Sequence, residues 1–430
     1  MKRNVLCAVV IISILAASSM LFHKKHSPPE KKPSVNEPGR PLPDESHTFS
    51  PFVPQQQPDR ICLTLTHDPT TSINIQWRTH NLSGHPVVQI ALLSAGPIEK
   101  TGIIQTCLAS SQIFRHPHYD AVHHHANITG LKPATTYLYR VGDGLKWSEW
   151  FQFQTSQPSH QPFEFLFFGD LQEDIRGSCS RIIRQAFLNH PNTRFMLFIG
   201  DIVRHGNNDT EWHEFFQATG WLTGMFPTIA TPGNHEYKNT QITSAWGAHF
   251  QFPSNGPQGC EELNNTCYFI DYQGTRFISL NTNAMRGFHL KAVLAQRQWL
   301  QTLLRNNDND WTVIFHHHPV DSPTQSESGK KQLQWLFSPL YEKYHVDLVL
   351  QGDAHTYGRG HKSHDKNNPD SPIYIVSNSG AHMNKPDAPW ASVSGSDKQL
   401  YQHISISKNQ LNYQAIAADG SLFDHFILKK

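Results

Sequence analysis

Five places in this chain bring apolar residues up to side chains that bind metals or move protons. The central one is Thr231-Pro232-Gly233-Asn234-His235-Glu236, behind the apolar run Phe226 to Ala230. Pro232 and Gly233 turn the chain there. The turn presents an amide, an imidazole and a carboxylate in succession, a poor way to build a core. Around it, FFGDLQ ends at Gln172, LFIGDIV at Val203, VIFHHHP at Pro319 and LVLQGDAH at His355. Asp170, Asp201, Asn234, His235, His316 to His318, Asp353 and His355 are therefore all strand-end residues. Carboxylates, an amide oxygen and imidazoles make a mixed O/N donor set that suits Zn, Fe or Mn rather than a thiolate site. One carboxylate can bridge two ions about 3.5–4 Å apart, and such a pair polarises a phosphoryl oxygen and generates hydroxide near neutral pH. Taken alone, each polar loop is ordinary; five strand ends in one chain point to one sheet delivering ligands to one place.

The elements needed to position these residues are visible from Phe163 onward. FEFLFF, RFMLFI, WTVIF and DLVLQ read as buried strands, alternating with helical stretches over Ile175 to Asn189, Glu211 to Phe216 and Gln296 to Leu304. Such alternation predicts an α/β layered sheet covered on both faces. After His355, PIYIV, YQHISI, LNYQAIA and FDHFIL predict a second sheet that completes a four-layer sandwich, two mixed sheets flanked by helices. Before Phe163 the pattern is short and alternating: ICLTLT, SINIQWRT, PVVQIALL, YLYRVG and EWFQFQT. These predict an all-β sandwich of about a hundred residues with Trp77 as core anchor. His123, His124 and His125 alternate across one strand, so only two share a face, and they read as a surface strand. No internal repeat is present.

The chain has 430 residues and a formal net charge of +1, which gives no electrostatic reason to expect a nucleic-acid partner. Lys2 and Arg3 precede an apolar run from Val5 to Phe22, the pattern of a secretory signal, with Ala16-Ala17-Ser18 offering small residues for cleavage. The run also approaches membrane-spanning length, so an uncleaved anchor is the alternative. Residues 24–58, rich in Pro, Lys, Gln and Ser, read as a linker. The expected organisation is a signal or anchor over 1–23, this linker, a β-sandwich over 59–157 and a catalytic domain over 158–430. In an exported chain, Cys260 and Cys267 are the expected disulfide and Cys62 and Cys107 a second candidate pair, leaving Cys179 as a buried thiol.

The order GD…GD…GNHE…H-x-P…G-x-x-H resembles the calcineurin-like metallophosphoesterases. With a fibronectin type III-like domain in front, marked by Gly130-Leu131-Pro133 and Tyr137-Tyr139-Arg140, it most resembles the purple acid phosphatases and their bacterial relatives. The resemblance implies that Asp170 and His355 bind a first ion, that Asp201 bridges both, and that Asn234 and His317 bind a second. His316 and His318 flank His317, one of them facing the substrate. His235 would contact the phosphate and protonate the leaving oxygen, with Glu236 orienting it. Three positions depart from the pattern. Arg204 stands where a tyrosinate colours the Fe(III) enzymes, and a guanidinium has no lone pair to replace it. A colourless protein is expected, and Arg204 either clamps a phosphate oxygen or pairs on the surface. Asp353 replaces the first histidine of GHxH, where it binds metal or points away. Gln172 stands where GDxG has glycine and related enzymes have a histidine ligand; its amide oxygen is a weak donor. No match appears in Asp321 to Gln334 for the paired histidines of plant-type enzymes.

The expected activity is an exported phosphatase that cleaves small phosphate monoesters by hydroxide attack at two divalent or trivalent ions, Fe, Zn or Mn. The location would be secreted or periplasmic, with a membrane tether only through an uncleaved N-terminal segment. A phosphodiesterase or nucleotidase with the same core is the alternative. From another class, a binding protein with a remnant metal site is the third reading.

Overall fold

The computed structural model describes residues 52–430 except 81–83, 99–101, 104, 117–118, 287–288, 325–329 and 362–370. The expected signal or anchor and most of the linker lie outside the described residues. Among the described residues, no helix is long and apolar enough to cross a membrane.

Phe163–Phe168, Met196–Phe198 and Thr228–Ala230 are neighbouring parallel strands, and each ends where a ligand loop begins. Their near-continuous apolar sequences fit strands buried on both faces. They sit inside a ten-stranded sheet. On one side Leu400–Ile406 runs antiparallel to Phe163–Phe168, followed by Gln410–Ala417 and Leu422–Lys429. On the other side Asp59–Thr64 joins Thr228–Ala230 in parallel, with Thr64 opposite Thr228. Ile73–Thr79, Asp120–Ile128 and Ser110–Arg115 complete that flank. A seven-stranded sheet packs against it, with Thr275–Ser279, Trp311–Phe315, Leu348–Gln351 and Ile373–Val376 parallel at its centre. Phe165 meets Phe195 face to face at 4.9 Å and Phe277 of the second sheet edge to face at 5.3 Å. These offset and perpendicular contacts are the favoured aromatic geometries. The two mixed sheets of the expected sandwich are present. Its last strands divide, however: Ile373–Val376 joins the second sheet, whereas the final three strands extend the first.

Helices cover the first sheet through apolar stripes. Ser180–Asn189 buries Ile182, Ile183 and Ala186, preceded by one π-helical turn, Ile175–Cys179. Asp209–Thr219 buries Trp212, Phe215 and Phe216, and the Asn208 side chain caps it by accepting from the Thr210 amide at 3.1 Å. Leu290–Arg305 is longer than the stretch expected from sequence.

The N-terminal β-rich part adds a separate four-stranded sheet, Gln105–Leu108, Val87–Leu92, Thr136–Gly142 and Phe151–Gln154. Trp77, on Ile73–Thr79 of the ten-stranded sheet, is fully buried, as expected. Two of the three histidines, His123 and His124, are buried rather than on the surface, and His125 is half-buried. His124 stacks on Trp77 and reaches the Thr79 and Ser111 hydroxyls, and His123 packs edge-on against His249. Burial pushes the His124 imidazole down to about 4, so it serves as a neutral core group. The five described cysteines are free thiols, so neither expected disulfide is formed. Cys62 is wholly buried in the ten-stranded sheet, whereas Cys107 lies on the four-stranded one; Cys260 and Cys267 are buried on either side of a short 3-10 turn. Cys179 is buried as expected, and its thiol donates to the Leu171 carbonyl.

One buried ion cluster joins the β-rich part to the catalytic part. Asp209 accepts from Arg60 at 2.6 and 2.9 Å, from Arg78 at 2.9 Å and from the Tyr119 hydroxyl. Burial alone would raise its carboxyl, but the Arg60 and Arg78 charges and the hydrogen bonds hold it well below the usual range. A depressed folded pKa contributes stability above the unfolded value of about 3.9 and loses it as pH falls further. Asp209→Asn leaves two buried guanidiniums under-neutralised and is expected to cost about 3–5 kcal/mol, read by denaturant unfolding at pH 7. The difference from the parent chain should shrink below about pH 4; a constant difference would refute this account.

Candidate metal centre

The ligand-bearing loops leave their strands through strained turns. Asp170, Asp201, Asp353 and His355 have φ of 33°, 48°, 67° and 52°. Non-glycine residues avoid this region, and its use at four clustered polar positions marks a functional site. Two glycines permit the close approach. A Cβ on Gly233 would lie 2.1 Å from Asp201 Oδ1, and one on Gly352 would lie 2.6 Å from Asp170 Oδ2. Neither overlap is tolerable.

Two donor groups result. Ligand atoms of Asp170, Asp201 and His355 lie within 4.8 Å of one another, as do those of His317, His318 and Asp353. Asp201 also stands between them, its Oδ2 being 3.2 Å from His317 Nε2. The carboxylates are pinned by backbone amides. Asp353 N–H donates to both oxygens of Asp170 at 3.0 and 3.1 Å, and His235 N–H donates to Asp201 Oδ1 at 3.0 Å. Asp353 faces inward, with Oδ1 3.7 Å from His317 Nε2. Of the two orientations that its sequence position allows, the carboxylate takes the one toward the ligands.

Three buried donor atoms lack a hydrogen-bond partner: Asn234 Oδ1, Gln172 Oε1 and His355 Nδ1. A buried polar atom without a partner costs about 1–3 kcal/mol. Three on the loops that also carry Asp170, His235 and Asp353 fit residues that hold cations. Gln172 Nε2 lies 3.0 Å from His355 Nε2, which puts its amide beside the first group. The electrostatics agree. Burial would lower the His317 imidazole, but Asp201, Asp170 and Asp353 outweigh burial and raise it to about 10. That is the field of a site built to attract positive charge. Burial and His382 push His355 down to about 4, keeping its lone pair available.

His235 sits at the mouth, about a third exposed by side chain. Its Nδ1 donates to the Arg204 carbonyl at 2.6 Å, which leaves Nε2 facing the centre 3.9 Å from Asp201 Oδ2. The expected orienting contact from Glu236 is absent. Glu236 is fully buried, and its oxygens accept from the amides of Asp201, Ile202, Val203 and Gly233 at 2.7 to 3.2 Å. It fastens the two ligand loops together rather than holding the imidazole. Burial and the Asp201 charge raise its carboxyl to about 7 against the pull of those amides. The Arg204 guanidinium pairs with Glu173 at 2.8 Å on the surface and does not reach the ligands. Of the two readings for Arg204, the surface pair is the one observed.

Sequence reasoning leaves His316 and His318 undistinguished. His316 turns away toward Tyr341, its Nδ1 bonded to the His318 carbonyl, and burial pushes it down to about 4. His318 turns in. No signal in the run of three histidines separates them, because the chain leaves extended geometry at His316. His382, whose ring meets that of His355 at 4.7 Å, is also missed by sequence reasoning; it lies in a loop with no motif.

Comparisons with known proteins converge on this fold. A profile of the purple acid phosphatase N-terminal domain matches residues 58–155, and one of the calcineurin-like phosphoesterases matches residues 163–357. Purple acid phosphatase 15 of Arabidopsis thaliana is 26% identical over 394 residues, covering 80% of this chain and 72% of that protein. Acid phosphatase type 7 of Homo sapiens is 24% identical over 413 residues, covering 86% and 91%. Among solved structures, a purple acid phosphatase from yellow lupin seeds (Lupinus luteus) superposes with a TM-score of 0.71 at 17% identity, covering 87% of this chain and 74% of that one. The chain thus carries a purple acid phosphatase N-terminal domain followed by a calcineurin-like phosphoesterase domain, and its relatives and fold neighbours include purple acid phosphatases. It is accordingly a metal-dependent phosphoric ester hydrolase, from a family that uses two metal ions.

Glu236→Gln keeps the size but turns an N–H₂ toward backbone donors. It is expected to lower stability by about 1–3 kcal/mol and to weaken retention of ions, read by melting temperature and elemental analysis. Unchanged values in both would remove Glu236 from its fastening role.

Proposed function

We propose that the chain is an exported binuclear phosphatase acting on small phosphate monoesters. The observation that carries this reading is the pair of donor groups flanking Asp201, with buried unpartnered donor atoms on the same strand-end loops and His235 at the open side. Asp170, Gln172 and His355 would hold one ion, and Asn234, His317 and Asp353 the other, with Asp201 between. When bound, such ions supply Lewis acidity toward the phosphoryl oxygens and an activated water. The chain's own part is positional. Backbone amides fix Asp170 and Asp201 before any ligand arrives, so little reorganisation remains for the reaction. His235 carries its Nδ1 proton on the Arg204 carbonyl, so a protonated Nε2 can deliver a proton to the departing alkoxide. Export is supported by the Lys2-Arg3 pair followed by the Val5–Phe22 apolar run.

A diester reading is favoured by one observation, the inward Asp353 carboxylate. An added negative charge repels a monoester dianion more than a diester monoanion.

Parallel hydrolysis of an aryl phosphate monoester and the matching diester, with Mn, Zn or Fe added, separates these readings. Metal-dependent monoester turnover is expected, falling at least ~10²-fold in Asp201→Asn, the loss of one transition-state electrostatic contact. Preference for the diester would replace the monoester assignment. Absence of metal-dependent turnover of either, with no ions retained on purification, would favour a binding protein with a remnant site.

A further inference from the structure

The second donor group contains two imidazoles, although the strand-end pattern singled out only His317. Both have their outer nitrogen committed. His317 Nδ1 lies 2.8 Å from the Ile199 carbonyl, which can only accept, so Nδ1 carries a proton and Nε2 is the nitrogen turned to the carboxylates. His318 Nδ1 lies 2.8 Å from the Thr282 hydroxyl, and the same oxygen takes the His318 amide at 3.2 Å. Thr282 Oγ1 therefore anchors the ring at Nδ1, and Nε2 is the nitrogen on its far side. An outer partner that fixes tautomer and ring orientation is the usual accompaniment of a metal-binding histidine. His318 is only 1% exposed, so it cannot meet a substrate that arrives at the mouth beside His235. What it faces is His317, whose ring it meets edge-on at 5.0 Å, and Asp353. The unpartnered Asn234 Oδ1, on the loop whose His235 amide binds Asp201, is an independent sign of a cation in this neighbourhood.

We propose that His318 is a protein ligand of the second ion beside His317, Asp353 and Asn234. This rests on the binuclear reading above. Two imidazoles, a carboxylate and an amide oxygen then make a nitrogen-rich position that selects zinc. Asp170, Asp201 and Gln172 with the single imidazole of His355 make an oxygen-rich position suited to a harder ion such as manganese. Asp353 and His318 together make the second position self-sufficient, so it fills without its neighbour.

The test uses the full chain, stripped with a chelator and titrated with Zn²⁺ and Mn²⁺. Calorimetry reads affinity and stoichiometry, and electron paramagnetic resonance reads Mn²⁺ environment. The parent chain should take one Zn²⁺ first, after which added Mn²⁺ gives the signal of an isolated ion. His318→Ala should lower Zn²⁺ affinity at least tenfold while one Mn²⁺ is still bound. Thr282→Val, which removes only the outer partner, should lower it by about 10–100-fold at most. This second variant carries the test alone if His318→Ala melts differently from the parent. Zn²⁺ affinity within twofold of the parent in both variants would overturn the proposal while leaving the binuclear reading intact. Equal loss of both ions in a normally melting His318→Ala would overturn the division of labour. A parent chain that binds neither ion would instead overturn the binuclear reading itself.

Discussion

The centre depends on a buried carboxylate that touches neither substrate nor ligand atoms. Glu236 accepts from four backbone amides on two loops, one delivering Asp201 and the other Asn234 and His235. Three further carboxylates, Asp170, Asp201 and Asp353, converge nearby, and their mutual repulsion would open the site if side chains alone placed them. The backbone prevents this. The Asp353 amide fixes Asp170, the His235 amide fixes Asp201, and Glu236 fixes the loops that carry two of these groups. Negative charge is thus concentrated by donors that cannot move away without unfolding a turn.

This arrangement also explains where strain is stored. Four ligand positions occupy left-handed backbone conformations, each at the end of a buried strand. The strands are rigid through aromatic packing between the sheets, with Phe165 between Phe195 and Phe277. A stiff platform of this kind holds the turns in conformations they would abandon in isolation. Arg204 contributes through its carbonyl, which orients His235, while its side chain stays on the surface with Glu173. The same residue would therefore serve the site equally well with many other side chains.

Much of this is legible in the sequence. A buried parallel strand running into Gly-Asp leaves a recognisable mark, so the order of residues alone places Asp170 and Asp201 at strand ends. Asn234, His235, His317 and His355 are legible for the same reason, through turns that interrupt apolar runs. What escapes depends on contacts that no local pattern encodes. Glu236 looks like a partner for the adjacent His235, yet its partners are amides brought in by another strand end. His316 and His318 are chemically identical neighbours, and only Thr282 and Tyr341 decide which one turns inward. The destination of the last strands is illegible because their alternation fits an extension of the first sheet as well as membership of the second. His123 and His124 read as surface residues because histidine is polar, but burial beside Trp77 and His249 keeps them neutral.

The parallel pairing of Asp59–Thr64 with Thr228–Ala230 has a consequence for how the molecule comes apart. The strand that feeds the Asn234 loop would be an open sheet edge without its N-terminal neighbour, with unsatisfied amides available for pairing with another chain. The β-rich part acts as the selvedge of the catalytic sheet, and the Arg60–Asp209 contact rivets it in place. Loss of the ligand loops and loss of the N-terminal strands should therefore coincide in a single cooperative transition. A catalytic fragment cut at the seam between the two sequence matches would inherit an adhesive border instead of a finished one.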